Sequence, residues 1–182
     1  SNYLYIDEVR TGASMFYFAK GDKVKSAAEN FSDQVGQAFK QRGKNTKKLA
    51  IDKIMLDGFK SLENRDFKIE NGEKIMEHAR SIKSTEEIKA MRCSISACET
   101  SMHIMENKTK PGMAENEIWS ILHSENIKRG GEWIETRLLS SGTKTNPWFQ
   151  ECGSRVLQNN EIVAFDTDLV GCYSICTDIS RT

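Results

Sequence analysis

Nowhere in the 182 residues does an apolar run approach the ~20 that a bilayer span needs, and Ser1 is not followed by the basic, apolar and small-residue order of a signal peptide. No membrane partner is expected. A surplus of charge is missing too, since 26 Lys and Arg stand against 26 Asp and Glu. Without a positive excess there is no electrostatic footprint for nucleic acid, so no nucleic-acid partner is expected either. The five cysteines, Cys93, Cys98, Cys152, Cys172 and Cys176, are odd in number and form no C-x-x-C pair. That indicates neither a disulfide framework nor a zinc ribbon, and predicts a reducing, cytoplasmic setting.

The chain also lacks an initiator Met, and Tyr173 to Thr182 reads as a strand that stops without a turn, cap or polar tail. The expectation is a fragment of a longer protein. What is present is ordinary for a folded soluble domain: 38% hydrophobic residues, or about 45% apolar with the 12 glycines included. Disorder is excluded as the bulk state, and the length allows one domain or pieces of two.

The first 80 or so residues alternate strand and helix signals. Ala13 to Phe18 is an aromatic-rich strand candidate, and after Asp22 the residues Val24, Ala27, Phe31, Val35, Ala38 and Phe39 recur at helical steps up to Gly43. Leu49 to Ile54 reads as a strand, Met55 to Glu63 as a short helix with Leu56, Phe59 and Leu62 inward, and Phe67 to Ile69 as another strand. The order β-α-β-α-β predicts a layered α/β unit. The basic cluster Lys44 to Lys48 is read as a solvated loop.

A different pattern starts at Ser84, which with Glu87 has the spacing of a capping box and predicts a long helix. Ile88, Met91, Ile95, Cys98, Met102 and Met105 form its apolar stripe, read as core. Lys110, Pro111 and Gly112 break it, a second helix is predicted over Glu115 to Lys128, and Gly130 and Gly131 end that one. Beyond lie a strand at Trp133 to Leu139, a polar loop at Ser140 to Gly153, and two strands within Glu161 to Ile179 joined around Gly171.

Chemistry concentrates in the last segment. Strand side chains alternate, so Ile162, Ala164, Asp166 and Asp168 share one face, and a chain that folds back near Gly171 brings Asp178 across from the pair. Three carboxylates in a small, partly buried volume repel one another, and a divalent cation with oxygen ligands neutralises them. The alternative, that Asp166 and Asp168 are solvated edge-strand residues and Asp178 a turn residue, stays open on spacing alone. His78, His103 and His123 lack metal-ligand spacing and are read as surface or interhelical residues; Cys172 and Cys176 are read as small core residues.

The end of the chain, with Asp168, Gly171, Tyr173 and then Thr177-Asp178-Ile179-Ser180-Arg181-Thr182, resembles the metal-binding hairpin of the creatinase, prolidase and methionine aminopeptidase superfamily, the pita-bread fold. Ile82 to Ile88, with Met91 and Arg92, resembles the entry to its catalytic domain. The resemblance implies that residues 1–83 are the C-terminal part of the superfamily's N-terminal α/β domain and that residues 84–182 are the first half of an α+β pita-bread domain. Two departures stand out. Counting back from Asp178, the superfamily's peptidases would place their first metal-binding Asp about where Thr167 stands, and the loop Asn146 to Glu151 has no His where they keep a substrate-binding one.

Those departures, with the blocks Asn126 to Arg137 and Thr145 to Gly153, are similar to the dimethylsulfoniopropionate lyases of the DddP type. This resemblance implies metal ligation by Asp166, Asp168 and Asp178, with iron favoured and two metal ions per site in the full-length enzyme. It also implies a homodimer, and β-elimination of a small sulfonium substrate to dimethyl sulfide and acrylate by a base beyond residue 182. Trp148, standing where the peptidases keep their His, is the expected substrate contact through cation–π attraction. The rival expectations are an Xaa-Pro aminopeptidase or prolidase-like metallopeptidase, and a catalytically degenerate pita-bread binding module.

Overall fold

The computed structural model describes residues 8–12, 14–43 and 46–182. Contacts divide the chain into two compact units, Ser1–Ile82 and Lys83–Thr182.

The first unit opens with helix α1 (Tyr17–Lys20), a 3-10 turn at Gly21–Lys23 and helix α2 (Val24–Gln41). The strand predicted at Ala13 to Phe18 does not form. Ala13 lies outside the described residues, residues 14–16 have no regular structure, and Ala19 and Lys20 donate to Phe16 O at 3.1 Å each, closing a helical turn. Aromatic content suggested a strand there, but Phe16, Tyr17 and Phe18 are all exposed, so no face of a sheet takes them up. Helix α2 ends as predicted, at Gly43 in left-handed backbone with φ +63°.

Strands β1 (Lys48–Ile51) and β2 (Lys68–Asn71) pair in parallel with Leu49 opposite Ile69, and helix α3 (Leu56–Glu63) makes the crossover that a parallel pair requires. The buried hydroxyls of Ser32 and Ser61 lie 2.7 Å apart and tie α2 to α3, while Phe39 meets Phe67 edge to face at 5.2 Å. Leu62 is inward as expected, but Leu56 is exposed. Gly58 takes the close approach instead, since a Cβ there would stand 2.6 Å from Met15 Sδ. Helix α4 (Glu73–Ser81) has no counterpart in the sequence reading, because its Ile75 and Met76 remain exposed and show no buried stripe. In the basic cluster, Lys44 lies outside the described residues, while Lys47 and Lys48 form exposed ion pairs with Asp66 and Glu70.

The second unit begins with helix α5 (Thr85–Lys108), closed by the predicted capping box: Glu87 N donates to Ser84 Oγ at 3.2 Å and Ser84 N to Glu87 Oε2 at 2.6 Å. Helix α6 spans Glu115–Lys128 as expected, and Gly130, at φ +82°, turns the chain out of it. Only the C-terminal half of the α5 stripe is core. Cys98, Met102 and Met105 pack with Ile118, Trp119 and Leu122 of α6, whereas Ile88 and Ile95 are exposed. Ser94, Ala97 and Ser101 occupy the close-packed face instead, because small side chains let the following hairpin approach. Ser94 Oγ donates to Ile175 O at 2.9 Å and fills the space that a Cβ on Gly171 would need.

Six short strands complete the unit: β3 (Trp133–Ile134), β4 (Leu139–Ser141), β5 (Val163–Asp166), β6 (Leu169–Val170), β7 (Cys176–Thr177) and β8 (Ser180–Arg181). They form two antiparallel sheets, in the orders β3-β6-β7 and β4-β5-β8. The single strand expected at Trp133 to Leu139 is therefore two, one in each sheet. Its partner hairpin breaks at Thr167-Asp168, and the chain beside it follows the break.

Candidate metal centre

The hairpin runs out through β5 and β6 and returns through β7 and β8. Leu169 stands opposite Thr177 and Phe165 opposite Arg181, so both halves keep one register and Asp168 falls opposite Asp178. Between the halves the usual ladder gives way to the side chain of Thr167. That side chain is fully buried; its Oγ1 donates to Thr177 O at 3.1 Å and accepts from Ile179 N at 2.9 Å. Thr167 therefore stitches the hairpin at the break between its two halves. Asp168, next along, has φ +37°, a region that Asp tolerates better than most residues.

This local twist gathers the acids. One carboxylate oxygen from each of Asp166, Asp168 and Asp178 lies within 4.8 Å of the others. Asp166 Oδ1 is buried and has no hydrogen-bond partner, an expensive arrangement for a carboxylate. The Asp178 carboxyl is pushed above the usual range, first by its hydrogen bond to Asp166, then by the Asp166 charge, by burial and by the Asp168 charge. All four influences raise it, and none comes from a base. Thr136, just past β3, donates from Oγ1 to Asp168 Oδ2 at 2.8 Å and orients that carboxylate. An orphaned buried oxygen with two further carboxylates within 4.8 Å fits a divalent cation with oxygen ligands.

Trp148 is 38% exposed and borders a groove of about 370 Å³ with Thr145, Ile162, Ala164 and Ser180. Ile162 and Ala164 precede Asp166 at the strand period, and Ser180 is Asp166's cross-strand partner. Phe165, Arg181 and Thr182 complete its lining, so the groove runs along β5 next to Asp166 without including the three acids, and Trp148 stands on one side of it. Trp133, Phe149 and Tyr173 are more exposed than Trp148 and do not border this groove. His78 and His103 are exposed, His123 is half-buried, and no His or Cys joins the acidic cluster among the described residues. Cys172 donates from Sγ to Arg129 O at 3.1 Å, and Cys176 is exposed.

Thr136 was missed in the sequence, and nothing local marks it, because it reaches Asp168 only through the β3–β6 pairing. Thr167 was noticed as a departure, but its part in joining the strands shows only once the hairpin is formed.

A layered α/β unit followed by an α+β unit whose hairpin assembles three carboxylates defines a pita-bread protein. The chain belongs to metallopeptidase family M24, whose sequence profile matches residues 89–182. It is 53% identical over 182 residues to proteins named dimethylsulfoniopropionate lyase DddP from Roseovarius nubinhibens and from Roseobacter denitrificans. Each of those matches covers 97% of this chain and 41% of the relative's own length. Among solved structures, an X-Pro aminopeptidase from Thermotoga maritima matches with TM-score 0.70 at 19% identity, covering 89% of this chain and 49% of that one. An Xaa-Pro dipeptidase from Bacillus anthracis matches with TM-score 0.73 at 18% identity, covering 88% and 49%. At such identities these two structures speak for the fold. Among the described residues, no helix is long and apolar enough to cross a membrane.

Proposed function

We propose that the whole protein to which this chain belongs is a metal-dependent lyase that cleaves dimethylsulfoniopropionate to dimethyl sulfide and acrylate by β-elimination. The observation that carries this reading is the 53% identity, across 97% of the chain, to two proteins named for that activity. Residues 1–83 are read as the C-terminal part of the N-terminal domain, residues 84–182 as the first half of the catalytic domain, and the working form as a cytoplasmic homodimer.

Asp166, Asp168 and Asp178 would hold a divalent cation, iron by family resemblance and one of two in a complete site. When bound, the metal supplies Lewis acidity toward the substrate carboxylate. Thr136 fixes the direction of the Asp168 carboxylate. In the elimination, a base removes the proton beside the substrate carboxylate, the C–H electron pair becomes the new double bond, and the C–S bond breaks with its pair leaving on sulfur. That base is expected beyond Thr182. Trp148 offers a π face to the sulfonium, and an elimination needs no water at the groove.

The fold is shared with peptidases, so hydrolysis of X-Pro peptides is the second reading. The absence of any His in residues 146–151 argues against it. Incubating the full natural protein with dimethylsulfoniopropionate and with X-Pro dipeptides separates the two: volatile sulfide is expected, and free amino acid without sulfide would establish the peptidase.

A further inference from the structure

Another carboxylate in this unit is buried and stands apart from the acidic cluster. Glu115, the first residue of α6, has no solvent exposure, a rare state for Glu unless it is fully partnered. Its Oε1 accepts from Ser141 N at 2.9 Å and from Ser141 Oγ at 2.8 Å. Its Oε2 accepts from Lys144 Nζ at 2.7 Å and from Gly153 N at 3.1 Å. Burial pushes the Glu115 carboxyl up, but Lys144, Ser141 and the Gly153 N–H outweigh it and leave the group below the usual carboxylate range. Beyond this shell, Ser141 Oγ accepts from Arg155 Nη1 at 2.7 Å, and Arg155 pairs with Glu161, so charges alternate through the whole network.

All of Glu115's side-chain partners belong to one segment: Ser141 opens it, Lys144 lies within it and Gly153 closes it. Lys144 also donates to Glu151 O at 3.2 Å, drawing the returning arm toward the outgoing one. Between these anchors the tip carries Trp148 and the exposed Phe149, and its Gln150 Nε2 donates back to Pro147 O at 3.0 Å. An aromatic ring on a loop tip takes its position from the loop's stem.

We propose that Glu115 is a positioning residue for Trp148: its carboxylate clasps both ends of the 141–153 segment and so sets where the aromatic side of the groove stands relative to Asp166. Glu115 does not border the groove itself, so it acts through the loop. The start of α6 does not depend on this side chain. Glu115 N donates to Arg155 O at 2.9 Å, Asn116 N to Gly153 O at 3.1 Å, and Ala114 N to Glu117 Oε2 at 2.7 Å. Loss of the carboxylate therefore loosens the loop before it loosens the helix.

The proposal rests on Trp148 as the sulfonium contact, so its test has a readout independent of turnover. In the full natural protein, Glu115→Gln is expected to raise KM for dimethylsulfoniopropionate by roughly tenfold while kcat stays within about twofold and metal content is unchanged. Amide hydrogen exchange over residues 142–152 should accelerate by about tenfold or more, with residues 163–181 unaffected. Glu115→Asp, which keeps the charge, should fall between. If Glu115→Gln fails to fold, Lys144→Met, at a partly exposed position, carries the same expectations at smaller size. A folded variant with unchanged KM and unchanged exchange overturns the clasp, as does a fall in kcat and metal content at constant KM. If the wild-type protein releases no sulfide, the lyase reading fails, and faster exchange over 142–152 in the variant still upholds the clasp.

Discussion

Thr136 Oγ1 and Asp168 Oδ2 are 2.8 Å apart, although they lie 32 residues from each other in sequence and the Thr comes from the chain leaving β3. The hydroxyl fixes the direction of one carboxylate of the three-acid cluster. Supporting hydrogen bonds of this kind typically contribute 10–100-fold to metal affinity. Thr136→Val should therefore weaken metal binding by ~10-fold or more in the full protein while leaving the circular-dichroism spectrum and unfolding midpoint nearly unchanged. Metal titration measures it, and an unaltered affinity would remove Thr136 from the site.

Asp178→Asn should have effects of opposite sign on stability and on binding. Asp178 faces two other acids, and its carboxyl is already pushed upward by Asp166. Neutralising it relieves like-charge repulsion, so the metal-free variant is expected to unfold at the same or a higher temperature than metal-free wild type, while metal content and turnover collapse. Asp57→Ala, on the exposed face of α3, should change neither. Elemental analysis beside thermal unfolding, with and without chelator, checks both variants against wild type; full metal occupancy in Asp178→Asn would show the site misassigned.

Thr167→Val keeps the shape of the side chain and removes its oxygen. The Ile179 N–H then loses its acceptor and the carbonyl of the buried Thr177 its donor. Leaving such groups unpaired costs about 1–3 kcal/mol. A urea unfolding midpoint lowered accordingly, together with weaker metal binding because the carboxylates lose their alignment, is the expected result.

Acid sensitivity follows from Glu125 and Glu161. Lys128, then Arg129, hold the Glu125 carboxyl down to about 2, and Arg155, then the Gln158 N–H, hold Glu161 at about 2. Both folded values lie below that of the unfolded chain, near 4.3, so the stabilisation is complete above ~4.3 and disappears as pH falls toward 2. Thermal unfolding between pH 6 and pH 2.5 should show a progressive loss of stability in this window, and Glu125→Gln should flatten part of it. Glu125→Gln with the same slope as wild type would show that the Glu125 pairs contribute nothing.

Much of the fold was legible along the chain because its signals are local. The Ser84–Glu87 capping box, the bounds of α6 and the stop at Gly43 each depend on residues within one helical turn of one another. The strand expected at Ala13 to Phe18, which does not form, and helix α4, which forms without being expected, show the complementary failure. Aromatic content and apolar periodicity report what a segment can bury, and in both places the side chains concerned stay exposed. The α5 stripe was half right for the same reason: Cys98, Met102 and Met105 found α6, while the hairpin tip at Gly171 and Ile175 packs on Ser94.

The sequence by itself determined that three acids would stand near a turn, since strand alternation puts Asp166 and Asp168 on one face and a reversal near Gly171 returns Asp178 toward them. Tertiary structure alone decided that their oxygens meet within 4.8 Å, through the common register of the two hairpin halves and the left-handed backbone of Asp168. It also decided that Thr167 bridges the strands, that Thr136 aims Asp168, and that Glu115 grips the loop of Trp148. Alternation and capping act over a few residues of one chain segment, where sequence spacing is spatial spacing. Hydrogen bonds between residues 26 or 32 apart depend on which strands pair, and that choice belongs to the packed whole.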